Sequence, residues 1–319
     1  MTNIAPAKDD LAVVASGVAA PSRGRRRPFT KLQAVVGTSP MIATAVGVFV
    51  ICILFSVWWS FTNSKVFPSN TFVGMTQYER LWNNDRWIIS VNNVWFFGVM
   101  SIVFNMVAGY VLAVFMDQRI KQEDLFRSIF LYPFAMSSIV TGLVWQWMMD
   151  PNLGIQETVR NMGWEGFSFA PLANGNTAIY GLVLAGIWNG VGVTMAIMLA
   201  GLRGVDAEIW KAAKIDGIPT WRTYLFIVLP MMRGAIITAL ILQATGVIRV
   251  FDLVVAMTQG GPGVSTQMPA IYVIQHITDR ANVGQGMAAA TMMLLPIAVL
   301  IAVRALLDWR AARAKGKSA

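Results

Sequence analysis

Residues 209–230 read IWKAAKIDGIPTWRTYLFIVLP, a charged stretch between two long apolar blocks. Ala212, Ala213 and Lys214 are good helix formers, so a helix is expected over Glu208–Asp216. Gly217 stands where a left-handed C-terminal cap would fall, and Pro219 prevents simple continuation. A second helix is expected over Thr220–Val228, stopping at Pro230, where the next apolar segment takes over. A charged helix–turn–helix is not needed to cross an apolar layer, so it reads as a surface built to be gripped. An amphipathic hairpin lying on a membrane is the plainer alternative. A DNA-reading helix–turn–helix has some of the same look, but a place between two spans argues against it.

The chain around this stretch is strongly apolar. Of its 319 residues 56% are hydrophobic and 13% charged, against about 25% charged in a soluble domain. The apolar residues come in blocks, so the fold class expected is an all-α integral membrane protein. A helix needs about 20 apolar residues to cross a bilayer. Six such spans are expected, near Met41–Phe61, Trp87–Met116, Ser128–Met149, Ala178–Leu202, Gly234–Met257 and Gly284–Val303. The fifth is interrupted by Arg249 and Asp252. The chain then divides into a polar, basic and partly disordered tail over 1–39, a six-span domain over 40–303, and a basic tail over 304–319. A signal peptide is not expected: the first apolar stretch is too long, and no small-residue cleavage site follows it.

Six spans put both termini on one side. Nineteen of the 25 Lys and Arg residues fall on that side, together with the 203–233 loop; five fall on the other and Arg249 lies within a span. The first tail ends in a basic run, Arg23, Arg25, Arg26, Arg27 and Lys31. This positive-inside bias places both termini and the loop in the cytoplasm. It also accounts for the net charge of +9 without a nucleic-acid partner. The lone Cys52 reads as a small buried side chain, and the lone His276, beside Asp279 and Arg280, as an isolated exposed histidine. No cluster of His, Cys and carboxylates suggests a metal or a catalytic site.

Polar groups inside spans are costly and usually functional. Trp188 and Asn189 sit near the centre of the fourth span and Gln243 near the middle of the fifth. An aromatic face and two amides suit a sugar. Arg249 and Asp252 are three apart, so they share a helix face; they are either a structural ion pair near the outer mouth or part of a solute path. Asp252 is the one carboxylate expected to be buried. Trp145 and Trp147 read as interfacial anchors, and the Trp164–Phe169 patch as interfacial. Gly186 and Gly190 form a GxxxG pair, for which close helix packing is the plain reading.

The 209–230 stretch resembles the cytoplasmic EAA loop of permease subunits of binding-protein-dependent ABC importers. Ala212, Ala213, Gly217, Ile227, Leu229 and Pro230 all fall in that pattern's register. The family's Glu is Lys211 here, so the contact made by that carboxylate is absent, reversed or carried by Glu208. A second stretch, VFDLVVAMTQGGPGVST at 250–266, resembles the end of the fifth span in carbohydrate permeases of the maltose and glycerol-phosphate type. The phrases NDRW (84–87), GWEGF (163–167) and AGLRGVD (200–206) are most similar to the glucose/mannose branch.

The resemblance implies a type I ABC importer permease fold with six spans in the bacterial or archaeal inner membrane. It implies an ATPase-coupling surface made of Glu208, Lys211, Ala212, Ala213, Asp216, Gly217, Leu229 and Pro230. It implies a substrate path along Gly186, Asn189, Gly190 and Val193, then Gln243, Gly246 and Val247. The partners implied are a second homologous permease, two ATPase subunits, an extracytoplasmic sugar-binding protein and the sugar itself. No Gly-Lys-Ser/Thr follows the GGPG turn and no ATP motif occurs elsewhere. This chain is therefore expected to bind no cofactor and to be no enzyme, with ATP and Mg held by the partner ATPase. A secondary transporter or channel for a small polar solute is the rival class. It would want inverted repeats or buried carboxylates.

Overall fold

The computed structural model describes residues 28–67, 69–118, 120–248 and 250–316. The basic run Arg23–Arg27 and Arg249 lie outside the described residues. The chain forms two compact units, residues 1–54 and 55–319.

The described part of the first unit is one helical run: α1 (Pro28–Thr44), a π-helical stretch (Ala45–Val50) and the start of α2 (Ile51–Ser60). Val36–Ser60 is long and apolar enough to cross a membrane. Val46, Phe49, Ile51 and Leu54 are all exposed, as side chains facing lipid would be. Cys52 is exposed as well, not buried as its small apolar character suggested.

The second unit takes in the end of α2 and continues with α3 (Thr76–Trp82) and α4 (Asp85–Asp117). The Asn84 side chain caps α4 by accepting from the Arg86 amide, which satisfies a backbone donor left over at the helix start. The 33 residues of α4 make a rod of about 50 Å, longer than the apolar core of a bilayer. Next come α5 (Glu123–Ala135) and α6 (Ser138–Met148), bent by 97°. The third span is thus not the single helix expected over Ser128–Met149. Pro133 cannot donate to the helix ladder, and Met136 is extended (φ −77°, ψ 150°), so the chain turns there.

After α7 (Ile155–Asn161), α8 (Gly175–Arg203) packs along α4. Glycines permit the close approach. A Cβ on Gly109 would stand 2.8 Å from Thr194, and one on Gly192 would overlap the Phe130 carbonyl oxygen of α5.

The charged stretch forms α9 (Ala207–Ile215), α10 (Thr220–Arg222), a π-helical turn (Thr223–Val228) and α11 (Leu229–Met231). The helix continues through Pro230 rather than stopping there; Pro230 is tolerated in the first turn of α11, where no amide is needed. A 74° bend at Met232 leads into α12 (Arg233–Ile248). The fifth span ends at Ile248, and Asp252 opens a separate short helix, α13 (Asp252–Met257). Asp252 therefore lies outside the helix of the fifth span, and its expected pairing with Arg249 falls outside the described residues. The chain closes with α14 (Pro269–Thr278) and α15 (Val283–Gly316), which carries the helix well past Val303.

Besides a smaller cluster of Leu81, Trp87, Tyr272 and Ala289, two buried clusters hold the unit together. One joins Phe97, Trp145, Leu182, Val254 and Met257. The other joins Tyr110, Met195, Met198, Leu202, Tyr224 and Val228. Trp145 is therefore a core residue, packed edge-on against Trp188 at 5.9 Å; Trp147 is 68% exposed and fits an anchor. His276 is buried, not an exposed loop residue. It sits in α14, stacked on Tyr272 at 3.9 Å, with Nδ1 2.9 Å from the Tyr272 carbonyl.

Candidate functional site

The charged stretch is built to stand by itself. Asp206 caps α9 by accepting from the Glu208 amide at 3.0 Å. At the other end Gly217 takes φ +67°. The Ile218 amide then reaches the Ala213 carbonyl at 2.9 Å and the Gly217 amide the Lys214 carbonyl at 3.3 Å. This pair of bonds is a Schellman cap, and it needs a residue that is comfortable at positive φ. Ala213 is buried, while Glu208, Lys211, Ala212, Asp216, Gly217 and Pro230 are exposed and Leu229 is half-buried. Ile215 is 84% exposed, an apolar side chain held out beside charged ones.

The inner side of the same stretch is tied down. Trp210 packs edge-on against Tyr224 at 4.9 Å. The Tyr224 hydroxyl donates to Asp117 Oδ2 at 2.9 Å, and the Tyr110 hydroxyl donates to the Tyr224 carbonyl at 2.8 Å. Both partners belong to α4. Arg203 and Glu123 form an exposed ion pair at 2.6 Å, joining the end of α8 to the start of α5.

A cavity of ≈ 660 Å³ lies among α4, α8, α12 and the α5–α6 break. Gly186, Asn189, Gly190 and Val193 of α8 line it, with Gln243, Gly246 and Val247 of α12. These seven positions fall on two helices far apart in the chain, and the fold brings all of them to one wall. Trp188 is not on that wall, since its ring is turned toward Trp145. Asp252 lines the cavity too, but it is exposed at the start of α13, so it is not the buried carboxylate expected.

The amides on this wall already have structural tasks. Asn189 Nδ2 donates to the Pro133 carbonyl at 2.8 Å, next to the α5–α6 bend. Gln243 Nε2 donates to Thr194 Oγ1 at 2.7 Å and to the Gly190 carbonyl at 3.3 Å. Gly190 has to be small: a Cβ there would stand 2.8 Å from Asn105 Nδ2 and 3.1 Å from Gln243 Nε2.

The α4 side of the cavity was not foreseen from the sequence. Phe97, Ser101 and Asn105 line it, with Phe134 and Ser138 from either side of the bend. Ser101 and Asn105 are 3% and 1% exposed, and their Oγ and Oδ1 atoms have no hydrogen-bond partner. A buried polar group left unpaired costs about 1–3 kcal/mol and calls for an explanation. The available signal was a pair of polar residues four apart, hence on one helix face, in the charge-free run Trp87–Met116.

A helical membrane unit around a cavity that amides and hydroxyls share with apolar side chains, with a self-capped charged helix outside it, is the arrangement expected of a membrane transport permease. Residues 105–313 match the family described as the binding-protein-dependent transport system inner membrane component, and the chain belongs to that family. It is 32% identical to a probable ABC transporter permease protein of Pyrococcus horikoshii, over 80% of this chain and 89% of that protein. It is 26% identical to the trehalose/maltose transport system permease protein MalF of Thermococcus litoralis, over 81% and 87% of the two chains. It is 28% identical to the diacetylchitobiose uptake system permease protein NgcF of Streptomyces coelicolor, over 92% and 87%. Among solved structures, a bacterial ABC transporter involved in import of the acidic polysaccharide alginate superposes with a TM-score of 0.74. That match has 16% identity and covers 89% of this chain and 96% of that one, so the two share a fold.

Proposed function

We propose that this protein is a permease subunit of an ATP-driven sugar importer. It crosses the inner membrane six times with both termini in the cytoplasm and forms half of the translocation path. A second, homologous permease supplies the other half. Two ATPase subunits hold ATP and Mg and do the hydrolysis; this chain binds no cofactor and catalyses no reaction. A sugar-binding protein delivers substrate at the outer face. The observation that carries this reading is the convergence of Gly186, Asn189, Gly190, Val193, Gln243, Gly246 and Val247 on one cavity. Its support in the relatives is that they are named for trehalose/maltose and diacetylchitobiose transport.

The mechanism is alternating access. ATP-driven closure of the ATPase pair moves α9 as a lever, gripped through Lys211, Ala212, Asp216 and Gly217. The spans rock, the cavity opens outward, and sugar enters beside Asn189 and Gln243. Their backbone-anchored amides leave carbonyl oxygens for sugar hydroxyls, and Ser101 and Asn105, packed against Gly186 and Gly190, hold unpaired acceptors just behind that wall.

Reconstitution into liposomes with the second permease, the ATPase and the binding protein tests this. Labelled glucose, mannose, maltose and trehalose would be offered with and without ATP. Uptake that needs ATP and the binding protein is expected for at least one of them. Uptake by this chain alone, driven by an ion gradient, would overturn the proposal in favour of a secondary transporter.

A further inference from the structure

The segment that faces the ATPase and the wall that faces the cavity share one rigid element. Asp117 is the last residue of α4, and α4 runs without a break from there to Asn105 and Ser101. At 1.5 Å per residue those cavity residues lie about 18 and 24 Å along the rod. Tyr110 and Asp117 are seven apart, so they lie on the same helix face. Both bond to Tyr224, one to its carbonyl and one through its hydroxyl.

Two details single out Tyr224 from ordinary packing. It lies in the π-helical turn Thr223–Val228, and its carbonyl also accepts from the Leu229 amide. One carbonyl thus ties Tyr110 of α4 to the Leu229–Pro230 pair, using both of its lone pairs. Single π-turns within helices are frequently found at functional sites. Asp117, for its part, is a carboxylate at a helix C-terminus, where the helix dipole disfavours negative charge. The Tyr224 hydroxyl is the group that offsets this.

We infer that Asp117, Tyr224 and Tyr110 form a transmission clamp: positioning residues that convert displacement of α9 into displacement of α4, and so of the cavity wall at Asn105 and Ser101. Trp210 of α9 bears on the Tyr224 ring, Tyr224 holds α4 at two points, and α4 carries the movement. The inference rests on the proposed transport function.

The test uses the full complex of permeases, ATPase and binding protein in liposomes. The wild-type complex is measured first; absence of ATP-dependent sugar uptake there sinks the functional reading itself, before any variant bears on the clamp. Tyr224→Phe keeps the ring against Trp210 and the carbonyl bond to Tyr110, and removes only the bond to Asp117. Tyr224→Phe and Asp117→Ala are each expected to lower sugar moved per ATP hydrolysed by about fivefold or more, the lower end of typical coupling between sites. The ATPase subunits should remain in the purified complex. Asp117→Asn, which keeps an acceptor, is expected to restore most of the coupling. The double variant should be no worse than either single one, since both remove the same bond. A wild-type ratio of uptake to ATP in both single variants overturns the clamp. So does loss of the ATPase subunits, which would make these residues supports of the docking shape only.

Discussion

The charged segment and the cavity satisfy their polar groups in opposite ways. In 206–231 the backbone closes on itself: Asp206 caps one end of α9 and the Gly217 turn caps the other. Its side chains are then free to point outward, with Ile215 and Lys211 exposed. Around the cavity the side chains are spent inward instead. Asn189 repairs the α5–α6 break, Gln243 ties α12 to α8, and Ser101 and Asn105 are left unpaired. A surface proposed for a macromolecular partner thus keeps its shape by itself, and a site proposed for a small polar ligand leaves hydrogen-bonding capacity unused.

Four substitutions press on this contrast. The largest effect should come from Gly192→Ala, because its methyl would overlap the Phe130 carbonyl, and backbone yields poorly to overpacking. Detergent-solubilised protein should show a sharply lower melting temperature or fail to accumulate; normal yield and stability would mean that the α5–α8 contact is looser than it is drawn. Gly217→Val places a β-branched residue at φ +67°, a conformation costing about 1–2 kcal/mol without glycine. Folding of the spans should survive, while uptake falls about tenfold or more as the docking turn is lost. If the variant transports at the wild-type rate, α9 is not the lever.

Asn105→Ala should separate function from stability. Loss of a ligand hydrogen bond of about 1–3 kcal/mol would raise the KM for sugar uptake by about tenfold. The melting temperature should hold or rise, because an unpaired buried acceptor is gone. An unchanged KM with lower stability would make Asn105 a packing residue and break the contrast at its inner side. The smallest effect belongs to Glu123→Gln. Its ion pair with Arg203 is partly exposed, and such pairs contribute about 0–1 kcal/mol; uptake and melting temperature should both stay close to wild type.

Much of this was legible in the linear chain. Asp206, the Ala212–Ala213–Lys214 run, Gly217 and Pro219 specify a capped helix through contacts within a few residues, so the α9 boundaries lie within one residue of the expectation. Of the seven cavity positions, Asn189 and Gln243 stood out as amides inside spans; the other five were reachable only through resemblance. Ser101 and Asn105 were missed because a serine and an asparagine in an apolar helix look alike whether they face lipid, a neighbouring helix or a ligand. The same blindness affected His276, Trp145 and Cys52, whose burial depends on what packs against them. One break was misread as well: Pro133 marks the bend locally, but the Asn189 bond that holds its carbonyl comes from 56 residues further along the chain.

The linear sequence by itself determined a helical membrane protein with a charged, self-capped segment at 206–231. Hydropathy runs, charge counts and caps are local quantities, and a helix satisfies its own backbone. Only the tertiary structure decided that the underside of that segment is bolted to α4 through Tyr224, and that the middle of α4 walls the cavity. A hydrogen bond between residues 107 apart in the chain leaves no local trace, since either side chain alone would be equally at home beside water or lipid headgroups.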